Sequence, residues 1–418
     1  MVQPLRTSPG RRDRWPLIGV CAAFVVATIA GLAFHTWVGF LDLEVYRAGA
    51  RTILAGYPLY ATDPLIGGPQ GLGFTYPPSA ALAFVPLAVL PTTAAQALFF
   101  LSSLGCLGAV LWIVCKRLRP ELDRLTTLTV VIAMVTLFEF IEPVRSTLSF
   151  GQVNLVLMAA VVFDTLTRAR HWPRGMLIGI AMAIKLTPAV FLLFFLLRRD
   201  WRALATALAS AAATVGAGWL ILPADSAQYW LQTVRDTSRI GSSWFANNQS
   251  FNGMLTRLPL PEAWQSGLWI ALSAVALLLA VRWMRRLLEA GQPVTAVLVN
   301  AALMLLVSPI SWNHHWVWIA PALLVAGNAV AEGARSPWLV GTVALAVVVF
   351  TVGPAERMPM MNDRELHWSW WQHVVGNSYP LLAFAVLAAG AAGCIPTGVG
   401  RPRRWAAAPT GPAASNDG

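Results

Sequence analysis

Residues 15–38, WPLIGVCAAFVVATIAGLAFHTWV from Trp15 to Val38, contain no Asp, Glu, Lys or Arg, and Arg6, Arg11, Arg12 and Arg14 stand just before them. About 20 apolar residues in a helix cross a bilayer, whereas the core of a signal peptide runs roughly 7–15. No small-residue cleavage site follows, so the stretch predicts a retained first transmembrane helix with its N-terminal side in the cytoplasm. The same texture recurs along the chain. Eleven more apolar segments can be drawn, over 74–90, 94–115, 126–144, 151–167, 175–197, 203–222, 264–281, 294–311, 315–331, 336–353 and 378–397. Of 418 residues, 57% are hydrophobic and 12% charged, about half the roughly 25% charge of soluble domains. Such a chain cannot hide its apolar surface in water, which excludes a soluble enzyme, a secreted disulfide scaffold and a disordered tail protein. An all-α polytopic membrane protein remains.

The net charge is +11. The basic residues sit in short clusters between apolar runs: Lys116-Arg117-Leu118-Arg119, Arg168 to Arg174, Arg198-Arg199, Arg282 with Arg285-Arg286, and Arg401 to Arg404. This is the pattern of cytoplasmic loops facing anionic lipid rather than of nucleic-acid binding. Cys21, Cys106, Cys115 and Cys394 lie in or beside apolar runs without C-x-x-C spacing and read as small hydrophobes.

Threading the chain with all basic clusters inside leaves two conflicts. Segment 74–90 carries Pro77, Pro78 and Pro86, with Pro91 just after it, and reads as re-entrant or surface-lying. Segment 175–197 has arginines at both ends and Lys185-Leu-Thr-Pro188 in its middle. A straight span would bury that lysine at a cost of roughly 2.5–3.5 kcal/mol, so a broken segment is expected. The count is ten to twelve transmembrane helices plus short re-entrant or interfacial ones, with both termini cytoplasmic. One transmembrane domain covers 15–397, between a tail at 1–14 and a tail at 398–418 expected to be disordered. Residues 39–73, 141–152, 223–263, 311–315 and 354–376 then emerge on the outer face, where the polar and acidic residues concentrate.

Five constellations on that face could carry chemistry. In Leu41-Asp42-Leu43-Glu44-Val45-Tyr46-Arg47, Asp42 reads as a general base or as a loop acid paired with Arg47 or Arg51; Asp42 and Glu44 share a face in a strand but diverge by about 200° in a helix. In Ser308-Pro-Ile-Ser-Trp-Asn-His-His-Trp-Val-Trp318, the aromatics, Trp312 included, suit an interfacial belt. The pair His314 and His315 suits phosphate binding or polarising an acid, with no partner at metal-ligand spacing. Gln152 and Asn154, with Asn248 and Gln249, offer amides for sugar hydroxyls; helix capping competes for Asn154. Lys185 reads either as a phosphate-binding cation beside a helix end or as a snorkelling lysine. Phe74-Thr75-Tyr76-Pro77-Pro78 reads as a turn that starts a helix. No loop for ATP or dinucleotide, no zinc-protease motif and no Asp-x-Asp pair occurs, so a sugar would arrive in lipid-borne form.

These motifs occur in one order: Asp42-x-x-Val45-Tyr46-Arg47, Tyr76-Pro77-Pro78, Gly151-Gln152-Val153-Asn154, Lys185-Leu-Thr-Pro188, Asn248-Gln249-Ser250 and Ser308-Pro-x-Ser-Trp-x-His314-His315-Trp. Together they resemble the polyprenyl-phosphate-mannose-dependent α-1,2-mannosyltransferases of the actinobacterial envelope, membrane glycosyltransferases of the C superfamily. The resemblance implies the C-type fold in a plasma-membrane protein, a polyprenyl-phosphate-mannose donor, a glycolipid acceptor and a periplasmic site. Within the family the likeness is to members that convert a phosphatidylinositol tetramannoside to the pentamannoside; siblings branch lipomannan, and related enzymes move arabinofuranose. It further implies that Asp42 is the catalytic aspartate and that the late-loop histidine is His315 or His314, with His315 favoured because His314 can cap the preceding turn. Lys185 and Arg145 become candidates for the donor phosphate. Glu44, Tyr46, Arg47, Tyr76, Gln152, Asn154, Asn248, Gln249 and Trp312 become candidates for substrate contact. No metal or cofactor is expected. A transporter of the same hydropathy is the alternative class; it would carry ionisable groups at mid-membrane, and only Lys185 has that character.

Overall fold

The computed structural model describes residues 14–60, 71–167, 171–334 and 336–395. Both terminal tails and the Arg401–Arg404 cluster lie outside the described residues, as does part of the Arg168–Arg174 cluster.

Helix α1 (Trp15–Ala33) is exposed along nearly its whole length, with only Gly31 buried against the Trp37 ring. Gly39 and Phe40, both at positive φ, turn the chain into α2 (Leu41–Leu54), an amphipathic helix whose inner face is Leu43, Val45, Tyr46, Arg47, Gly49 and Ala50. Segment 74–90 becomes two short helices, α3 (Pro78–Ala83) and α4 (Val85–Val89), neither long enough to cross a membrane. Then come α5 (Thr92–Leu118) and α6 (Arg124–Phe138), the latter bent by 78° from α7 (Glu142–Phe150). Gly151 reverses the chain into α8 (Asn154–Leu166).

The expected break at Lys185 is present. Helix α9 (Met176–Ile184) ends there, Lys185 is extended at φ −147°, and residues 187–191 form a 3₁₀ turn leading to α10 (Leu192–Leu197). Pro188 accounts for the stop: it has no N–H to donate to the Ile184 carbonyl four residues back, and its ring would clash with that carbonyl in a continuous helix. Helix α11 (Trp201–Ile221) packs on α9 through small residues: a Cβ on Gly179 would lie 2.3 Å from the Ala207 carbonyl. The remaining helices are α12 (Pro223–Leu231), α13 (Phe251–Thr256), α14 (Glu262–Glu289), α15 (Pro293–Val307), α16 (Ile319–Ala331), α17 (Pro337–Val352), α18 (Trp370–Gly376) and α19 (Ser378–Ala392).

Among the described residues there is no strand, only one antiparallel bridge between Asn248 and Trp312. Four helices are long and apolar enough to span a bilayer: α1, α5, α11 and α14. The count is six when each bent pair, α6 with α7 and α18 with α19, is one span. The expected ten to twelve is not reached by this measure, because α8, the 187–197 segment, α15 and α17 are apolar but only 10–17 residues long.

Two ends of the bundle differ in chemistry. At one, Arg117 donates to the Leu166 carbonyl, and Arg119 Nε lies 2.6 Å from Asn328 Oδ1 and 3.4 Å from a Glu332 oxygen. This ties the C-terminal ends of α5, α8 and α16 together. The start of α8 and the turn before α16 lie at the opposite end and carry Asn154, His314 and His315.

Candidate active site

Asp42 is placed by the turn that faces it. The Phe40 amide donates to the Ser149 carbonyl at 2.9 Å, and Ser149 Oγ donates to the Val38 carbonyl at 2.8 Å. Gly151, at φ +64°, lies so close to α2 that a Cβ there would sit 2.7 Å from Leu43 Cβ. Only glycine takes that backbone without strain and leaves the gap closed. The turn thereby delivers Gln152 to the Asp42 carboxylate. Behind them, Tyr46 Oη donates to Gln152 Oε1 at 2.8 Å and lies 3.1 Å from Tyr76 Oη. Burial drives Asp42 up to about 6, against a hydrogen bond from Gln152 and the charge of Lys185.

Because 41–54 is helical, Asp42 and Glu44 diverge. Glu44 takes Arg47 Nη1 at 2.8 Å, and that fully buried guanidinium also donates to Thr92 Oγ1 and to the Leu87 and Leu90 carbonyls. Arg47 anchors α2 to the α4–α5 corner, and the pairing open to Asp42 in the sequence belongs to Glu44. Neither Glu44 nor Arg47 faces the cavity described below.

The second wall is the loop before α16. Asn248, fully buried, accepts from the Ser311 amide and from Ser250 Oγ, both at 2.9 Å, and donates to the Ser243 and Pro309 carbonyls. Gln249 donates to the Ala246 and Gly376 carbonyls. The sequence suggests sugar hydroxyls as partners for these amides; their hydrogen bonds instead hold the histidine loop, since a loop this deep must satisfy its backbone internally. Arg145 likewise lies away from the cavity, with Nη2 3.1 Å from Glu356 Oε2. Asn313 joins that network by donating to both Glu142 (2.5 Å) and Glu356 (2.9 Å).

The capping of the turn expected of His314 falls to His315, and both histidines line the cavity described below. It is His315 whose Nδ1 accepts from the Trp312 amide (3.2 Å) and caps the turn. Its Nε2 lies 3.0 Å from Lys185 Nζ, which also donates to Asn154 Oδ1 at 3.2 Å. With Nδ1 accepting, Nε2 carries the ring hydrogen and Lys185 completes the contact only as a neutral amine; with Lys185 charged, Nε2 accepts instead. His314 is 6% exposed, neither of its ring nitrogens has a partner, and its ring edge rests on Phe150. Burial, with Lys185 nearby, keeps it neutral far below the usual imidazole range. Its carbonyl is fixed by Thr147 Oγ1 (2.7 Å) and Asn154 Nδ2 (2.9 Å).

A cavity of about 480 Å³ is lined by Asp42, Tyr76, Gln152, Lys185, Trp312, His314 and His315 together. An acid in the first turn of α2 and two imidazoles some 270 residues later thus meet across one space. The lining also includes Asp236 and Arg239, which no recognisable motif marks in the sequence. Two charges in a loop between apolar segments are the available signal.

The cavity thus gathers a carboxyl, an amine and two imidazoles among apolar helices. Residues 74–309 match glycosyltransferase family 87. The chain is 39% identical over 397 residues to the polyprenol-phosphate-mannose-dependent α-(1-2)-phosphatidylinositol mannoside mannosyltransferase of Mycobacterium tuberculosis, covering 90% of each. It is 35% identical to the corresponding pentamannoside mannosyltransferase of Mycolicibacterium smegmatis, over 87% of this chain and 88% of the relative. To an α-(1->3)-arabinofuranosyltransferase of Corynebacterium glutamicum it is 24% identical, over 65% and 64%. No solved structure matches it. The chain belongs to glycosyltransferase family 87.

Proposed function

We propose that the protein transfers mannose from polyprenyl-phosphate-mannose to the 2-hydroxyl of a phosphatidylinositol mannoside, converting the tetramannoside to the pentamannoside, in one inverting displacement. The observation that carries this reading is Asp42 and the Lys185–His315 pair lining the same cavity. Asp42 takes the proton of the attacking hydroxyl as that oxygen bonds to C1, and the C1–O bond to the lipid phosphate breaks. A carboxyl near 6 is mostly ionised at pH 7 yet basic enough to accept a proton. The leaving phosphate gathers negative charge, which favours the charged form of Lys185 and is met by an N–H of His314. No metal ion is required in this scheme. Tyr76, Gln152 and Trp312 border the sugars; Tyr46 and Asn154 act from behind, through Gln152 and Lys185.

We further infer that the shorter apolar helices complete ten to twelve crossings within one domain spanning 15–397. In this reading the basic end of the bundle and both termini are cytoplasmic, and the cavity opens to the periplasm. The Arg117 and Arg119 contacts at the far ends of α8 and α16 from His314 support it.

The test is transfer in detergent from radiolabelled polyprenyl-phosphate-mannose to purified tetramannoside, with a lipid extract of a deletion strain beside it. Labelled pentamannoside and accumulated tetramannoside are expected. Extension of pentamannoside alone would assign the step named for the 35% identical relative, and absence of any transfer would favour a transporter.

A further inference from the structure

A second cavity, of about 240 Å³, lies among α14, α15, α16, α17 and α19 and shares no lining residue with the polar one. Its walls are apolar apart from the Thr295 and Thr342 hydroxyls and the indoles of Trp283, Trp316 and Trp318. Along α15 it runs from Thr295 to Leu305. At 1.5 Å per residue that is about 15 Å, half the roughly 30 Å hydrocarbon core of a bilayer. One end lies beneath the histidine loop, at Trp316 and Trp318, and the other at Trp283 and Ile395, toward the end of the bundle where Arg119 holds α16. Two observations mark the Trp283 end as the seat of a ligand. Trp283 is 5% exposed, and among the described residues its Nε1 has no hydrogen-bond partner, where a buried indole N–H ordinarily finds one. The ring lies so close to Gly390 that a Cβ there would sit 2.2 Å from Trp283 Cδ2, which wedges the indole in place. Arg282 and Arg286 flank it. Arg282 Nε donates to the Ala391 carbonyl at 2.9 Å and Arg286 Nη1 to the Gly390 carbonyl at 3.2 Å. Both guanidiniums are thereby fixed at the end of α19 with further N–H donors left for an anion, and exposed Arg285 stands beside them.

We propose that this cavity holds one acyl chain of an anionic diacyl phospholipid that is neither donor nor acceptor. Its ester carbonyl accepts from Trp283 Nε1, and its phosphate rests among Arg282, Arg285 and Arg286. Each part of the site matches a part of that lipid. The length suits a chain that spans one leaflet, the unpartnered N–H suits an ester oxygen, and the arginines suit a phosphate. A polyprenyl phosphate bound for Lys185 would carry its charge to the other side of the histidine loop, away from these arginines. The end of the acyl chain lies against Trp316 and Trp318, which follow His315 in the sequence, so the lipid braces the histidine loop from beneath.

The experiment uses the full-length protein in phosphatidylcholine nanodiscs doped with phosphatidylglycerol that bears a diazirine at its acyl terminus. Labelled peptides are expected from α17 near Phe350 and from the turn at Trp316 to Trp318. The same diazirine on phosphatidylcholine should label them about tenfold less. Trp283→Phe keeps the aromatic ring and removes the N–H, and should cut the phosphatidylglycerol labelling about fivefold. Arg282→Gln combined with Arg286→Gln should abolish the preference between headgroups. Equal labelling of the wild type by the two headgroups would overturn the proposal, since the cavity would then hold unselected bilayer lipid. Displacement of the probe by polyprenyl phosphate but not by unlabelled phosphatidylglycerol would overturn it as well. Added phosphatidylglycerol should also raise the melting temperature of the wild type more than that of Trp283→Phe, and an equal rise would reject the indole as the lipid's partner and the site with it.

Discussion

Asp42 is held where a carboxylate loses much of its hydration, and this has opposite consequences for rate and stability. Its folded pKa of about 6 lies above the ordinary 3.8, so protonation favours the folded state, and stability is lost as pH rises through about 6. Asp42→Asn removes that cost. It should abolish transfer while raising stability at pH 7 by on the order of 1–3 kcal/mol, read by thermal melting beside an activity assay. An Asp42→Asn enzyme with near wild-type rates would refute the base. The wild-type rate should fall as pH drops through about 6, and Gln152→Leu, which deletes the hydrogen bond that lowers Asp42, should move this limb to higher pH. The histidines separate by the same two readouts. His314→Ala should cut kcat about 10²–10³-fold without lowering the melting temperature, since its ring nitrogens have no partners to strand. His315→Ala leaves the Trp312 amide and Lys185 without their imidazole, so it should lower the melting temperature as well. Equal stability of the two variants would erase the distinction.

At the scale of elements, the Gly151 turn sets the distance between Asp42 and Gln152. Gly151→Val places a branched side chain at positive φ against Leu43. We expect a stability loss of about 2–4 kcal/mol and a transfer rate reduced at least tenfold, with both measured on detergent-purified protein. The positions of the helices were legible in the sequence because apolar length and proline placement dictate them. The break at Lys185 and the two short helices of 74–90 were legible for that reason, and so was the divergence of Asp42 from Glu44 once the stretch was helical. What pattern could not give was the destination of amides and histidines. Asn248, Gln249 and Arg145 look like substrate contacts in sequence, and only the fold reveals that loop carbonyls take up the two amides and that Glu356 pairs with the guanidinium. Adjacent histidines are equivalent in sequence; the Trp312 amide makes them different.

For the whole molecule, the separation of the end that carries Arg117 and Arg119 from the end that carries Asp42 and His315 lets the proposed topology be measured. Single cysteines, introduced in a cysteine-free background at Thr75 beside the cavity and at Glu121 beside Arg119, should react oppositely with a membrane-impermeant maleimide added to intact cells. Thr75→Cys should label from outside and Glu121→Cys only after lysis; the reverse pattern would invert the protein in the membrane. The span count was the least legible property, because apolar helices of 10–17 residues lie between buried core helices and crossings.

The small residues that let α9 lie against α11 also fix where Lys185 begins. A Cβ on Gly179 would meet the Ala207 carbonyl at 2.3 Å, so a bulkier residue there would push the first half of the broken segment, and the amine at its tip, away from the cavity that it lines.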